Sequence, residues 1–166
     1  MTDHVVRTPR GRIVANPPLA RVLFDDTRFA IVWLVVRVLV GLYWLQQAMS
    51  KLGDPAWMQT GEALKGFWTN AVKIPETGRP PIAFDWYRDF IQYMLDNQWY
   101  VWFAKLVAVG EFLVGVFLII GLFVGIAAFF GAFMNWNYVM AGSASTNPIL
   151  LVGALLLMFA WKTAGY

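Results

Sequence analysis

Residues 29–49 form an almost wholly apolar run whose single charge is Arg37. At about 1.5 Å per residue a helix of that length crosses a hydrocarbon core of about 30 Å. Three more apolar runs follow, at about residues 99–122, 124–140 and 148–161. Only 14% of the 166 residues are charged, against about 25% in an ordinary soluble domain, and 59% are hydrophobic. That leaves too little polar surface to cover a globule in water. The expected fold class is therefore an all-α integral membrane protein, a four-transmembrane-helix bundle with a helical extracytoplasmic loop between helices 1 and 2.

Turn signals separate the runs. Gly121 and Gly125 are expected to mark a tight turn between the second and third. The run Gly142-Ser143-Ala144-Ser145-Thr146-Asn147 precedes the fourth, with Asn147 as predicted N-cap and Pro148 at the first helical position. Residues 1–28 then read as a basic cytoplasmic extension. Residues 29–166 read as a single four-helix membrane domain, with an external loop at about 50–98.

Arg7, Arg10, Arg12, Arg21 and Arg28 precede the first run, and Lys162 follows the last. The positive-inside rule then places both termini in the cytoplasm and the chain in the cell (inner or plasma) membrane. The apolar core starts too late for a secretory signal, and no small-residue cleavage site follows it. Leu19, Val22 and Leu23 share a helical face beside Arg21, which suits either a short helix on the inner membrane surface or an unstructured basic arm. In the external loop, Trp57, Leu64, Phe67 and Trp68 recur at helical spacing, as do Trp86, Phe90, Tyr93 and Met94. Residues 75–81 divide these two predicted helices, which either cover the bundle mouth or dip into the interface.

The sequence has no cysteine and one histidine, His4, so disulfides, iron–sulfur ligation, thiolate catalysis and bis-His haem are excluded. No metal or haem is expected, and redox chemistry must use a bound organic molecule or another subunit. The basic N-terminus reads as attraction to membrane lipids with anionic headgroups, not as a nucleic-acid site.

An ionisable residue at membrane depth is costly and needs a partner. Counting from the cytoplasmic side, Arg37 lies roughly 10 Å into the first run and Glu111 roughly 15 Å into the antiparallel second. The two are expected to pair. Glu111 then serves either as half of a structural clasp or as a carboxylate that handles protons or ligand. A second cluster lies farther out, where Gln46, Gln47, Asn135 and Asn137 stand among Tyr43, Trp44, Met134, Trp136 and Tyr138. Amides and phenols beside flat aromatic faces are what a quinone head group requires, so Trp44, Gln47, Asn135, Asn137 and Tyr138 are the candidate quinone-binding residues. The same types also form interfacial belts and hold helices together. Small residues such as Gly110, Gly115, Gly131 and Ala132 imply close helix packing, and with it contact with other membrane-protein subunits or a second copy of the chain.

The segment from Arg37 through Gly41 and Tyr43-Trp44 to Ser50-Lys51-Leu52 is similar to the opening pattern of the DoxX family. Gly110-Glu111 with Gly115, leading to Gly121-Leu122, resembles that family's second helix. The resemblance implies a four-helix protein related to DoxX and DoxD, membrane subunits of the thiosulfate:quinone oxidoreductase type. It carries over to Arg37, Gly41, Lys51, Glu111, Gly115 and Gly121, and it adds Lys51 to the quinone-pocket candidates. Two functions follow: a quinone-linked oxidoreductase subunit fed by a small sulfur compound or a partner protein, or a non-catalytic accessory subunit of a larger respiratory or photosynthetic membrane complex.

A topological test follows from the native lack of cysteine. A cysteine at Thr77 is expected to react with an impermeant thiol reagent added outside intact cells, and one at Thr8 is not. Labelling at position 8 from outside reverses the orientation.

Overall fold

The computed structural model describes residues 6–8, 11–13 and 16–165; His4 and Arg10 lie outside the described residues. Two short antiparallel strands, β1 (Val6–Thr8) and β2 (Gly11–Ile13), pair Val6 with Ile13 and Thr8 with Gly11. They are the departure from the all-α expectation, in a segment with too few apolar residues for helical periodicity to betray. Every other regular element among the described residues is helical.

Helix α1 (Pro18–Asp25) starts with proline at its first position, where the missing N–H costs nothing. It is a docked helix. Trp33 Nε1 donates to Leu23 O at 2.8 Å, Thr163 Oγ1 donates to Phe24 O, and Phe24 stacks on Trp33 at 5.6 Å. Its opposite face leaves Leu19 and Val22 exposed, as an interfacial helix would.

After a 3-10 turn (Thr27–Phe29), helix α2 (Ala30–Leu52) runs for about 34 Å. Asp54 caps α3 (Pro55–Met58) by accepting from Ala56 N at 2.8 Å. Helices α4 (Glu62–Ala71) and α5 (Asp85–Asp96) fall where two amphipathic helices are predicted in the loop, but Trp57, expected on the first, lies in the separate α3, since Gly61 with φ 74 breaks the run before α4. Then come α6 (Tyr100–Ile120), α7 (Val124–Met140), α8 (Asn147–Phe159) and the short α9 (Trp161–Ala164). Two helices, α2 with its leading turn and α6, are long and apolar enough to cross a membrane; α7 and α8 are apolar and shorter. Gly121 supplies the turn after α6 with φ 78, but Gly125 lies inside α7 and Phe123 takes the second left-handed position at φ 52. The cap of α8 is Thr146, one residue earlier than predicted, because the Asn147 side chain bonds back to Ser143 O at 3.0 Å.

Helix α2 packs chiefly on α6 and α7 on α8, and α6 joins the two pairs by contact with α7. The α2–α6 crossing is tight. A Cβ on Gly115 would stand 2.8 Å from Leu45 N and 3.0 Å from Gly41 O, so only glycine lets the backbones meet there. One core, with Trp33, Trp44, Leu118, Ala128 and Leu157, fills the bundle. A second, with Leu64, Trp68, Ile82, Ile91 and Met94, seats α4 and α5 over the ends of α6 and α7 through Tyr100, Ala104 and Ala141. The outer face of α5 exposes Trp86, Phe90 and Tyr93, and Trp99 carries the aromatic chain from Tyr93 (5.7 Å) to the exposed Trp102 (5.8 Å).

Gly115→Val is expected to lower stability by about 1–3 kcal/mol through overpacking of the crossing. Gly66, in α4 with nothing within 4 Å of a built Cβ, is expected to gain about 0.5–1 kcal/mol as Ala. Thermal unfolding of the detergent-solubilised variants checks both signs.

Candidate functional site

Glu111 lies at mid-length on α6 and is 1% exposed, so its charge must be met by protein. Lys51 meets it. Nζ donates to Oε1 at 2.6 Å and to Oε2 at 2.5 Å, and the Tyr138 hydroxyl donates to Oε1 at 2.6 Å. The ammonium also lies over the Trp57 ring at 5.0 Å and the Tyr138 ring at 5.7 Å, each the geometry of a cation–π contact. A carboxylate with three charge-assisted or phenolic donors and an ammonium faced by two aromatic rings form one network.

The predicted Arg37–Glu111 pair does not form. Arg37 lies against Gly121, at the far end of α6 and about 15 Å along the axis from Glu111. The cause is the tilt of helical side chains toward their own N-terminus. On α2 this sends Arg37 toward the N-terminal end of that helix and draws Lys51, in the last turn, back into the bundle. On the antiparallel α6 the same rule aims Glu111 the opposite way, at Lys51.

Beside this network is a cavity of about 240 Å³. Glu111, Lys51 and Tyr138 line it together with Trp44 and Gln47, so those predicted residues are brought together. Tyr43 closes one side through a hydrogen bond between its hydroxyl and Thr146 Oγ1. Trp57 and Phe67 reach it from α3 and α4, with Phe67 edge-on to Tyr138 at 6.4 Å. Sequence reasoning missed Trp57 and Phe67 as wall residues, since the loop helices could be placed over the mouth or in the interface with equal reason.

The two asparagines do not join the cavity wall. Asn137 accepts from the Tyr87 hydroxyl at 3.0 Å and donates to Phe133 O at 2.8 Å, so it ties α5 to α7. Burial pushes the Tyr87 phenol up to about 12. Asn135 is fully buried one helical turn inward of Tyr138, with neither amide atom hydrogen-bonded among the described residues; the Trp44 indole N–H is likewise unpartnered. Gln46 is exposed. Among the described residues no three histidine or acidic side chains stand together as a metal site.

Glu111→Gln and Lys51→Met are each expected to cost about 3 kcal/mol, because each leaves a buried charge or donor without its partner. The double variant should cost less than the sum. Arg37→Gln combined with Glu111→Gln should be additive within about 0.5 kcal/mol. Unfolding titrations in micelles give both cycles.

The DoxX family model matches residues 32–140, more than half of the chain. No curated protein and no solved structure matches it. The matched segment holds the α2–α6 glycine crossing and all three members of the Lys51–Glu111–Tyr138 network, and the chain belongs to the DoxX family of membrane-associated proteins.

Proposed function

We propose that this DoxX protein is the membrane subunit of a quinone-linked oxidoreductase and that the cavity takes a quinone head group beside Lys51. The observation that supports the reading is the buried carboxylate holding an ammonium and a phenol at the wall of an aromatic cavity. About 240 Å³ is smaller than the roughly 300–1,000 Å³ of a drug-sized site, which suits a single ring and leaves a prenyl tail outside. Four spans complete the reading: α7 runs for about 26 Å, and α8 continued by α9 for about 27 Å. Both termini then face the cytoplasm across the plasma membrane, with α3 to α5 outside.

A bound quinone supplies a two-electron, two-proton acceptor whose carbonyl oxygens need hydrogen-bond donors. Lys51 Nζ directs two of its donors at Glu111 and keeps a third for an oxygen in the cavity. Glu111 fixes that ammonium in place and also accepts from the Tyr138 hydroxyl, so one carboxylate holds both donors beside the cavity. Trp44 offers an aromatic face and Gln47 an amide at the wall. Electrons arrive from a small sulfur compound or a partner protein on the outer side.

Purification in mild detergent, extraction of bound quinone and quinone-dependent turnover test this. Folded Lys51→Met is expected to lose turnover at least 10-fold. Gln47→Leu is expected to weaken quinone by about 1 kcal/mol, one hydrogen bond, while Asn135→Leu leaves it unchanged. A wild-type protein that carries no quinone but holds a stoichiometric partner complex assigns it instead the accessory role.

A further inference from the structure

Helix α5 has three faces. At about 100° per residue, Tyr87, Ile91 and Met94 fall on one face and are buried in the second core. Asp85, Asp89, Gln92 and Asp96 fall on another and are exposed. Between them runs a third face of Trp86, Phe90 and Tyr93, which are 60%, 47% and 55% exposed. A helix that only covered the bundle mouth would need two faces, one for protein and one for water. The aromatic flank serves neither.

That flank lies at a defined depth. The Tyr87 hydroxyl donates to Asn137 Oδ1 at 3.0 Å, one turn from the end of α7, and the Tyr93 ring meets that of Trp99, the N-cap of α6, at 5.7 Å. Helix α5 is thus tied at two points to the level where α6 begins and α7 ends, and it lies along that end of the bundle. From Trp99 the aromatic contacts continue to Trp102 at 5.8 Å. Trp102, Leu106, Val109, Leu113 and Ile120 then form one exposed stripe down α6, all within about 40° of Trp102 around the helix. This is the side that a helix of such length and apolarity turns to lipid. Lys105, exposed beside the stripe about 8 Å from the start of α6, marks the boundary. Helical side chains tilt toward the N-terminus, so its stem runs toward the α5 end, where a lysine at this depth reaches headgroup phosphates.

We propose that the Trp86–Phe90–Tyr93 face of α5 docks on the phospholipid headgroup layer at the start of α6, which makes α5 an interfacial helix and not only a cover for the bundle. Lipid is the occupant because the flank continues the stripe of α6 without a break. Tryptophan and tyrosine also favour that depth, where the ring meets acyl chains and the N–H or O–H meets water. The acid flank then turns to water. Helix α5 offers anionic lipid no free cation, since its one basic residue, Arg88, pairs with Asp85 at 2.8 Å. Burial of the rings therefore carries the docking, and zwitterionic phosphatidylcholine is sufficient. The proposal rests on α6 crossing the membrane and is independent of quinone.

The chain has no cysteine, so a nitroxide label can be placed at one site at a time in the full chain, reconstituted in phosphatidylcholine vesicles. Electron paramagnetic resonance reads collision with oxygen, which concentrates in acyl chains, and with a water-soluble nickel chelate. The variants are Phe90→Cys, Gln92→Cys, Leu113→Cys and Thr77→Cys, all at exposed positions that do not threaten folding. Leu113 is expected to favour oxygen and Thr77 nickel. The oxygen-to-nickel ratio at Phe90 is expected to exceed those at Gln92 and Thr77 several-fold. A Phe90 label as open to nickel as Thr77, with Leu113 in lipid, overturns the docking alone. A Phe90 label shielded from both reagents overturns it too, because a partner protein or a second copy then covers the face. A Leu113 label open to nickel overturns the spanning reading of α6 and the proposal with it.

Discussion

The close crossing of α2 and α6 at Gly41 and Gly115 sets the register on which both polar ends of the molecule depend. With no Cβ on either helix the backbones meet, and neither can slide by a turn without driving a side chain into a carbonyl. That register puts Lys51 within reach of Glu111 and Arg37 against Gly121. A shift of one turn, about 5.4 Å, would leave a buried carboxylate facing apolar side chains, which lipid tolerates poorly.

The outer helices complete what the bundle starts. A lone ion pair of this burial repays its desolvation only when its remaining donors and acceptors are satisfied. Tyr138 supplies one such bond from α7, and Trp57 supplies an aromatic face from α3. The cap stays seated because it has a core of its own, Leu64, Trp68, Ile82 and Ile91, and because Tyr87 ties it to Asn137. Removing α3 to α5 would open the Lys51–Glu111 pair to water and weaken it, since Coulomb attraction falls as the local dielectric rises.

Much of the fold was legible in the sequence because lipid imposes length and apolarity on helices. The four apolar runs, the α4 and α5 segments of the loop and the Gly121 turn follow from periodicity and turn residues, whereas the helix beside Arg21 is one of two alternatives its short apolar face left open. The site was legible only in part. Trp44, Gln47, Lys51, Glu111 and Tyr138 meet at one cavity, yet counting depth along each run paired Glu111 with the wrong cation. Depth of the Cα is a poor guide when a lysine or arginine stem is several ångströms long. The tilt of the Cα–Cβ bond toward the helix start, the same for every residue, decides which way that stem runs. Asn135 and Asn137 were chosen on depth as well, but their rotation about α7 turns one into the core and the other toward Phe133 and Tyr87.

The two cations of α2 show how one helix can carry opposite electrostatic assignments. Lys51 is spent inside the molecule, with its charge cancelled by Glu111 and its ring contacts fixed by Trp57 and Tyr138. Arg37 is buried more deeply but meets the turn between two helices, where a negative end and a positive end lie side by side and offset each other. Among the described residues no carboxylate pairs with it. One helix thus holds one cation by a carboxylate of its neighbour and the other by a glycine at the end of that same neighbour, so the register of α2 on α6 fixes both at once.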